Sequence, residues 1–204
     1  QGSVLGPLLF SVFINDLPGV LHHSDHMIFA DDTQIFLKCR VSELDIAIAK
    51  VTSDITRFCQ WANSNDLVLN FEKTKALLVG SAFYLNTFNT DSITPIVINN
   101  SVIPWVKSVR NLGLVFDGTL SWKYHLIHMS NKVFSTLRQL RNNRAQLPTD
   151  VRQTLVSSLI LPYFDYCCAV YNDINVTQKI RVERMFNAGI RFIFDLRRDE
   201  HITP

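Results

Sequence analysis

The sequence predicts an α+β protein in which β-hairpins precede a mostly helical region. Pairs of short β-prone runs flank turn residues in the first part, a long apolar stripe at helical spacing lies between them, and helical patterns dominate after Ser121. We therefore divide the chain into residues 1–120 and 121–204. With 204 residues, 47% of them hydrophobic, the chain can form a sizeable core, which excludes a disordered protein.

Charge is distributed unevenly along the chain. Residues 1–121 hold eight Lys/Arg against eleven Asp/Glu, whereas residues 122–204 hold twelve against seven. An acidic part followed by a basic one suits a cation site beside a phosphate-binding surface, although proteins that never meet nucleic acid also show this pattern. The four cysteines have neither CxxC spacing nor a nearby His, so no zinc site or disulfide framework is indicated. No apolar run approaches the roughly 20 residues of a membrane span, and we expect no membrane partner.

The first 40 residues predict a buried helix and then a hairpin. Gly2, Gly6 and Pro7 form a loop, and Pro7 suits a first helical position. The apolar residues of the helix recur at helical spacing: Leu8, Leu9, Val12, Phe13 and Leu17. Next come two β-prone runs, 27–30 and 33–37, which place Asp31 and Asp32 at the tip of a hairpin.

A long helix and further strands follow. A stripe that starts at Leu44 and ends at Ala62 predicts a helix, for which Ser42 and Asp45 would form a capping box. Runs 67–70 and 76–79 read as strands around the basic turn 73–75, and 81–95 as a loop. The remaining β elements are a hairpin, 95–98 with 101–104 around Asn99-Asn100, and a strand, 109–116.

The rest of the chain predicts helices. Ser121 would cap a helix that reaches about Asn142. Pro148-Thr149 starts another that reaches Leu161, where Pro162 interrupts or restarts it. The last helix runs from Val176 to Phe194.

The Asp31-Asp32 pair points to metal chemistry. Adjacent carboxylates repel each other, and a divalent cation relieves that repulsion. Mg²⁺ prefers oxygen ligands and often completes its shell with substrate phosphates, so the pair forms a plausible half-site for phosphoryl transfer. The alternative is ordinary turn chemistry, because Asp is a common turn residue.

Several motifs, in order and at short spacing, resemble the reverse transcriptase domain of jockey-like and related non-LTR retrotransposons. The most specific combination is the block Gln1–Phe10 with Phe29-Ala30-Asp31-Asp32. The similarity covers essentially the whole chain, through further blocks at 14–18, Trp61, 67–75, 111–113, 120–122 and 197–204. The resemblance implies a polymerase palm portion in 1–120 and a helical thumb-like region in 121–204.

The resemblance also implies an activity, RNA-directed DNA synthesis by two-metal nucleotidyl transfer. Asp31 and Asp32 would be catalytic ligands of Mg²⁺ or Mn²⁺, and Gln1 and Gly2 would contact the incoming dNTP and the templating base. Partners would be an RNA template and a DNA primer, in the nucleus or the cytoplasm. For Gln1 and Gly2 a plain helix-entry loop is the alternative.

Three further sets of residues take roles from the same resemblance. Lys73 would protonate the pyrophosphate leaving group, with Lys75 as a competitor and a solvated turn as the alternative. Leu112 and Gly113 would belong to the primer-grip hairpin, or else to an ordinary strand bulge. The third set would follow a nucleic-acid backbone, unless it is a solvated helix face: Arg138, Arg141 and Arg144.

The third carboxylate of a two-metal site lies upstream of the Gln-Gly block in this family, and both ends of the chain look cut. We therefore expect the chain alone not to polymerise. The competing hypothesis is a non-catalytic relic that acts as a helical interaction or nucleic-acid-binding module. It predicts salt-dependent binding to a primer–template duplex.

Overall fold

The computed structural model describes residues 3–87, 93–197 and 199–202. It confirms the predicted α+β class, with short antiparallel strand pairs and long helices. The chain divides into two compact units, Gln1–Val106 and Lys107–Pro204. The division thus falls before the boundary expected near residue 120, and the assignment of the parts as palm and thumb stays a prediction.

In the described part of the first unit, three helices and two strand pairs alternate with irregular segments. The helices are α1 (Gly6–Phe13), α2 (Leu44–Ser64) and α3 (Ala82–Leu85), with 3₁₀ turns at Leu17–Val20 and Val41–Glu43. The strands are β1 (Asp25–Phe29), β2 (Asp32–Phe36), β3 (Ile96–Ile98) and β4 (Ser101–Ile103). Both strand pairs are antiparallel hairpins, and both were predicted.

The N-terminal helix is present but not buried. Pro7 is its second residue, where a missing N–H costs nothing. Leu8, Leu9 and Val12 are 61–67% exposed, so the prediction of a buried helix is wrong. Helical spacing reports that one face is apolar, but burial also requires an element to cover that face. Within the described residues the helix contributes only Phe13 to a tilted aromatic pair with Trp61, at 6.4 Å between ring centroids.

The core of the first unit lies under α2. This helix carries the predicted stripe, and Ile48 and Cys59 are buried on it. They pack against buried Ile93, Ile96, Ile98 and Ile103. The predicted capping box is wrong: Glu43 precedes the helix without a side-chain cap, because Ser42 already lies in a 3₁₀ turn and Asp45 accepts a hydrogen bond from Thr94 Oγ1 at 2.9 Å.

The strands predicted at 67–70 and 76–79 are wrong. Residues 67–70 belong to no strand, and Ala76 alone pairs, through an isolated parallel bridge to Trp105. β-prone residues form a strand only where a neighbouring edge is available for the ladder. The loop predicted at 81–95 contains the short helix α3, and residues 88–92 lie outside the described part of the chain.

The second unit joins one hairpin to a helical bundle. Its strands are β5 (Ser108–Asn111) and β6 (Leu114–Asp117), and its helices are α4 (Lys123–Arg141), α5 (Thr149–Leu159), α6 (Leu161–Asp165) and α7 (Val176–Phe194). A 3₁₀ turn spans Arg144–Gln146. The helical core consists of Leu126, Met129, Val133, Leu137, Val156, Ile160, Met185, Phe192 and Ile193.

The predicted single strand 109–116 is a hairpin instead. Leu112 (φ 43°) and Gly113 (φ 82°) take the left-handed conformation, which reverses the chain between β5 and β6. The hairpin packs on a small cluster of Leu114, Trp122 and Tyr171. The turn was missed although Asn111 and Gly113 are both typical turn residues, because the apolar residues on either side read as one strand.

The helix boundaries of this unit follow the predictions closely. Pro162 restarts a helix at α6, and α7 has the predicted bounds. Ser121, however, is not the cap of α4: Trp122 occupies that position, and the Ser121 hydroxyl donates to Asp117 Oδ2 at 3.0 Å. None of the helices in the described part of the chain is long and apolar enough to cross a membrane.

Candidate functional site

The Asp31-Asp32 pair lies at the tip of the β1–β2 hairpin. Phe29 pairs with Asp32 across the ladder, which leaves Ala30 and Asp31 as the turn. Ala30 has φ 51°, so the chain reverses within two residues. Both carboxylates are exposed, and neither has a hydrogen-bond or ion-pair partner among the described residues. Two carboxylates that are adjacent in sequence therefore lie exposed at this turn, without a described partner that compensates their charge.

A metal ion at this turn would need additional ligands. No group of three or more His, Cys, Asp or Glu side chains close enough to hold a metal occurs in the described ranges. The donor set nevertheless fits Mg²⁺ or Mn²⁺, because both prefer oxygen ligands and Mg²⁺ keeps waters and substrate phosphates in its shell. The turn can thus supply one or two ligands and leave the other positions open.

The segment that leads into the β1–β2 hairpin is joined to α2 by a buried carboxylate. Asp54, on α2, is fully buried and accepts the backbone N–H groups of His22, His23 and Ser24 at 3.0, 3.0 and 2.8 Å. Burial alone would raise the pKa of this carboxyl, but hydrogen bonds from Ser24, His22, His23 and Arg57 lower the pKa to about 2. Sequence analysis missed Asp54, although an acid inside an apolar helical stripe with an Arg three residues later is a usable signal.

The lysines lie in a separate turn. Asn70 organises it, because its side chain accepts the N–H of Lys73 at 3.1 Å and its carbonyl accepts the hydroxyl of Thr74 at 2.8 Å. Lys73 and Lys75 are both exposed, and in the described structure neither forms an ion pair with the Asp31-Asp32 turn. The structure therefore defines the turn without bringing a lysine to the carboxylates.

In the second unit, Leu112 and Gly113 form the tip of the β5–β6 hairpin. The Tyr166 hydroxyl donates to the Leu112 carbonyl at 2.7 Å. A Cβ at Gly113 would lie 3.0 Å from Tyr166 Cε1, so close that the ring would have to shift by a few tenths of an ångström. Glycine is therefore required here both for its positive φ and for the close approach of the ring. Sequence analysis missed Tyr166, because 54 residues separate the two partners.

The three predicted arginines differ in their surroundings. Arg138 and Arg141 are exposed in the last turn of α4, three residues apart and so on one face. Arg144 is half-buried and forms an ion pair with Asp195. Arg141 and Arg144 also line a cavity of about 510 Å³ together with Arg191, Phe192 and Leu196. Of these three arginines, Arg138 and Arg141 are the two that form no ion pair with a described residue.

Gln1 and Gly2, expected to contact the nucleotide and the template, lie outside the described residues.

Comparison with known proteins agrees with the motifs. The sequence profile of the reverse transcriptase (RNA-dependent DNA polymerase) family matches residues 1–116, which is more than half of the chain. This segment contains the β1–β2 turn and the β5–β6 hairpin.

Similar proteins come from Drosophila melanogaster mobile elements. The probable RNA-directed DNA polymerase from transposon X-element is 24% identical over 200 residues, 95% of this chain and 21% of that protein. The one from transposon BS is 24% identical over 205 residues, 96% of this chain and 22% of that protein. The RNA-directed DNA polymerase from mobile element jockey is 26% identical over 182 residues, 84% of this chain and 19% of that protein.

The chain spans about a fifth of the length of these relatives. No solved structure matches it significantly. The match of the family profile to more than half of the chain, with the order of motifs and the relatives from non-LTR elements, is sufficient to assign the family. The chain belongs to the reverse transcriptase (RNA-dependent DNA polymerase) family.

Proposed function

We propose that this chain carries the metal-binding turn of an RNA-directed DNA polymerase that copies RNA by two-metal nucleotidyl transfer. One observation carries the proposal: two exposed carboxylates share the tip of a tight hairpin and have no partner among residues 3–87, 93–197 and 199–202, inside the segment that matches the reverse transcriptase profile. Substrates of the reaction are an RNA template, a DNA primer and a dNTP.

Asp31 and Asp32 hold Mg²⁺ or Mn²⁺ in this proposal. When bound, the metal supplies activation of the primer 3′-hydroxyl and neutralises charge on the phosphates. The carboxylates are suited to this role because both are exposed to solvent, where a hydrated metal ion can reach them. A turn held rigidly by backbone pairing also keeps their separation constant, which a metal site requires.

The other residues bind and orient the substrates. Lys73, or Lys75 in its place, donates a proton to the leaving pyrophosphate. Leu112 and Gly113 belong to the primer-grip hairpin, whose backbone approaches the primer end. Tyr166 covers the Cβ side of Gly113 and holds this tip in place. Gln1 and Gly2 contact the incoming nucleotide and the templating base.

Metal binding is the primary test. We expect titration of the chain with Mn²⁺, followed by NMR line broadening, to affect the amides of residues 29–33 first. Asp31→Asn or Asp32→Asn should weaken Mn²⁺ binding at least about tenfold, because each removes a direct ligand. Asp25→Asn is the matched control, since Asp25 is an exposed carboxylate at the other end of the same hairpin. Equal affinity in the control and in the Asp31 variant would contradict the proposal.

Polymerisation is tested in a chimera in which this chain replaces the corresponding segment of the X-element polymerase, which aligns with 95% of it. Extension of a DNA primer on RNA, with dNTPs and Mg²⁺, should fall about 100-fold or more in Asp31→Asn, because transition-state charge loses a ligand. Asp25→Asn should extend normally. Undiminished extension in both Asp31→Asn and Asp32→Asn would remove the catalytic assignment.

Arg138 and Arg141 contact the nucleic-acid backbone in this proposal, whereas Arg144 is already neutralised by Asp195. Replacing Arg138 and Arg141 with Ala should reduce the salt slope of primer–template binding, in log K against log salt, by about 2, because two phosphate contacts are lost. The control is Arg181→Ala with Arg184→Ala, an exposed pair on α7 with the same spacing and charge. An identical loss in both double variants would mean that only net charge matters.

A further inference from the structure

We propose that Asp54 is a positioning residue, which sets the direction in which the β1–β2 hairpin carries the Asp31-Asp32 turn. The inference rests on the proposed function for its catalytic meaning. Its structural content is independent of metal binding, because Asp54 lies on α2 and contacts the chain just before the hairpin.

The carboxylate of Asp54 collects three consecutive backbone N–H groups. Oδ1 accepts from His22, and Oδ2 accepts from His23 and Ser24. Ser24 immediately precedes β1, so the last of these bonds lies one residue from the first strand. Three bonds to one rigid acceptor fix both the position and the orientation of this segment, which a single bond could not do.

Arg57 completes the clamp from the next turn of α2. Its guanidinium pairs with Asp54, while Nε donates to the Val20 carbonyl at 3.0 Å and another nitrogen donates to Ser53 Oγ at 3.0 Å. Residues 20–24 are therefore held by one helical turn. A buried carboxylate with this many donors stays ionised at neutral pH.

The remainder of the hairpin lacks comparable support. The sheet of β1 and β2 has two strands, and no side-chain hydrogen bond or ion pair joins residues 25–36 to another described element. The side chains on one of its faces, including Met27 and Phe29, are 60–65% exposed. The clamp is thus the main polar connection between the hairpin and α2 in the described residues.

Because the hairpin is held mainly at its base, a small rotation there displaces its tip by several ångströms. The five residues of β1 span about 17 Å, so a rotation of about 10° at the base moves the tip by about 3 Å. Catalytic groups need placement within about 0.5 Å, which corresponds to about 2° at the base. Small changes at Asp54 are therefore amplified at the two carboxylates, although Asp54 touches neither.

The test measures the hairpin direction itself. Spin labels are placed at Phe29→Cys, near the tip, and Gln60→Cys, on the exposed side of α2, and their distance distribution is measured by electron resonance. Exposed native cysteines are replaced by Ser, and buried Cys59 is retained. We expect Asp54→Asn to widen the distribution at least about twofold, because the acceptor charge and one acceptor atom are lost.

A control variant, Ile48→Ala, shows whether a loss of stability alone widens the distribution. Ile48 is also buried on α2, but it packs in the core and takes no part in the hydrogen bonds of Asp54. Compared at the same interval below its own melting temperature, it should leave the width unchanged. Equal widening in Ile48→Ala, or an unchanged width in folded Asp54→Asn, would overturn the proposal.

A second variant covers the case in which Asp54→Asn fails to fold. Arg57→Lys keeps a positive charge beside Asp54 but replaces three separate nitrogens, which bond the Val20 carbonyl, Ser53 and Asp54, with a single one. It should therefore widen the distribution to a smaller extent. An unchanged width in this variant would also refute the clamp. None of these measurements uses metal, so they can fail while Mn²⁺ binding at the turn succeeds, or the reverse.

Discussion

The β1–β2 and β5–β6 hairpins are held in opposite ways. The tip of β5–β6 is braced from outside, because Tyr166 bonds to Leu112 and packs on Gly113. The tip of β1–β2 has no such support from any residue that the structure describes, and the hairpin is held at its base by Asp54. A turn that offers carboxylates to a cation cannot have those groups covered by protein, so its stability must come from elsewhere. A turn that offers only backbone can be braced directly.

The largest effect is expected from a substitution at the tip of β5–β6, which Tyr166 supports. Gly113→Ala should lower the free energy of unfolding of the second unit by about 2–3 kcal/mol, because alanine is strained at φ 82° and its Cβ meets the Tyr166 ring. Thermal unfolding monitored through hairpin amides measures this loss. In a Tyr166→Ala background the same change should cost about 1 kcal/mol less, since only the backbone strain remains. Equal costs in both backgrounds would mean that the ring does not brace the tip.

The second largest effect is expected at low pH, where Asp54 at the base of β1–β2 becomes protonated. The pKa of Asp54 is about 2 when folded against 3.8 for the free group. A lowered pKa means that the unfolded chain binds the proton first, so the stabilisation is complete above about pH 4 and disappears as the pH falls towards 2. The first unit should lose about 2 kcal/mol over that interval. Chemical denaturation at several pH values measures the slope, and Asp54→Asn should flatten it. An unchanged slope in that variant would assign the acid sensitivity to other carboxylates.

The smallest effect is expected from a substitution at the tip of β1–β2, which lacks a supporting side chain among the described residues. Ala30→Gly should raise the free energy of unfolding by about 0.5–1 kcal/mol, because Ala30 adopts φ 51° and glycine does so without a Cβ penalty. The melting temperature provides the measurement, and Mn²⁺ affinity at Asp31 and Asp32 should stay within about twofold because no ligand changes. A destabilised Ala30→Gly variant would mean that the turn is not strained.

Local sequence patterns predicted the elements that depend on short-range chemistry. The Asn99-Asn100 hairpin, the restart at Pro162 and the bounds of α7 follow from turn residues and helical spacing. The strands predicted at 67–70 and 76–79 failed because a strand requires a partner, and a pattern within one segment does not reveal whether an edge is available. The prediction that α1 is buried was wrong for the same reason. Its apolar face was visible in the sequence, but the sequence does not show whether another element covers that face.

The same distinction, between local and long-range contacts, applies to the residues of the candidate site. Asp31 and Asp32 are adjacent in sequence, so the turn chemistry alone places them together. Asp54 lies 30–32 residues from its backbone partners, and Tyr166 lies 54 residues from Leu112. No periodicity connects residues at such separations. The family motifs identified which residues to examine, but not which side chains support them.

For this protein, the amino-acid sequence alone determined the α+β class, most helix boundaries, the carboxylate pair and the family resemblance, because each depends on neighbours within a few residues or on the order of motifs. Tertiary structure alone decided that Asp54 clamps the base of one hairpin and that Tyr166 braces the tip of the other. Both contacts depend on burial and on the approach of distant segments, since a buried carboxylate or a close ring contact arises only when the chain is packed.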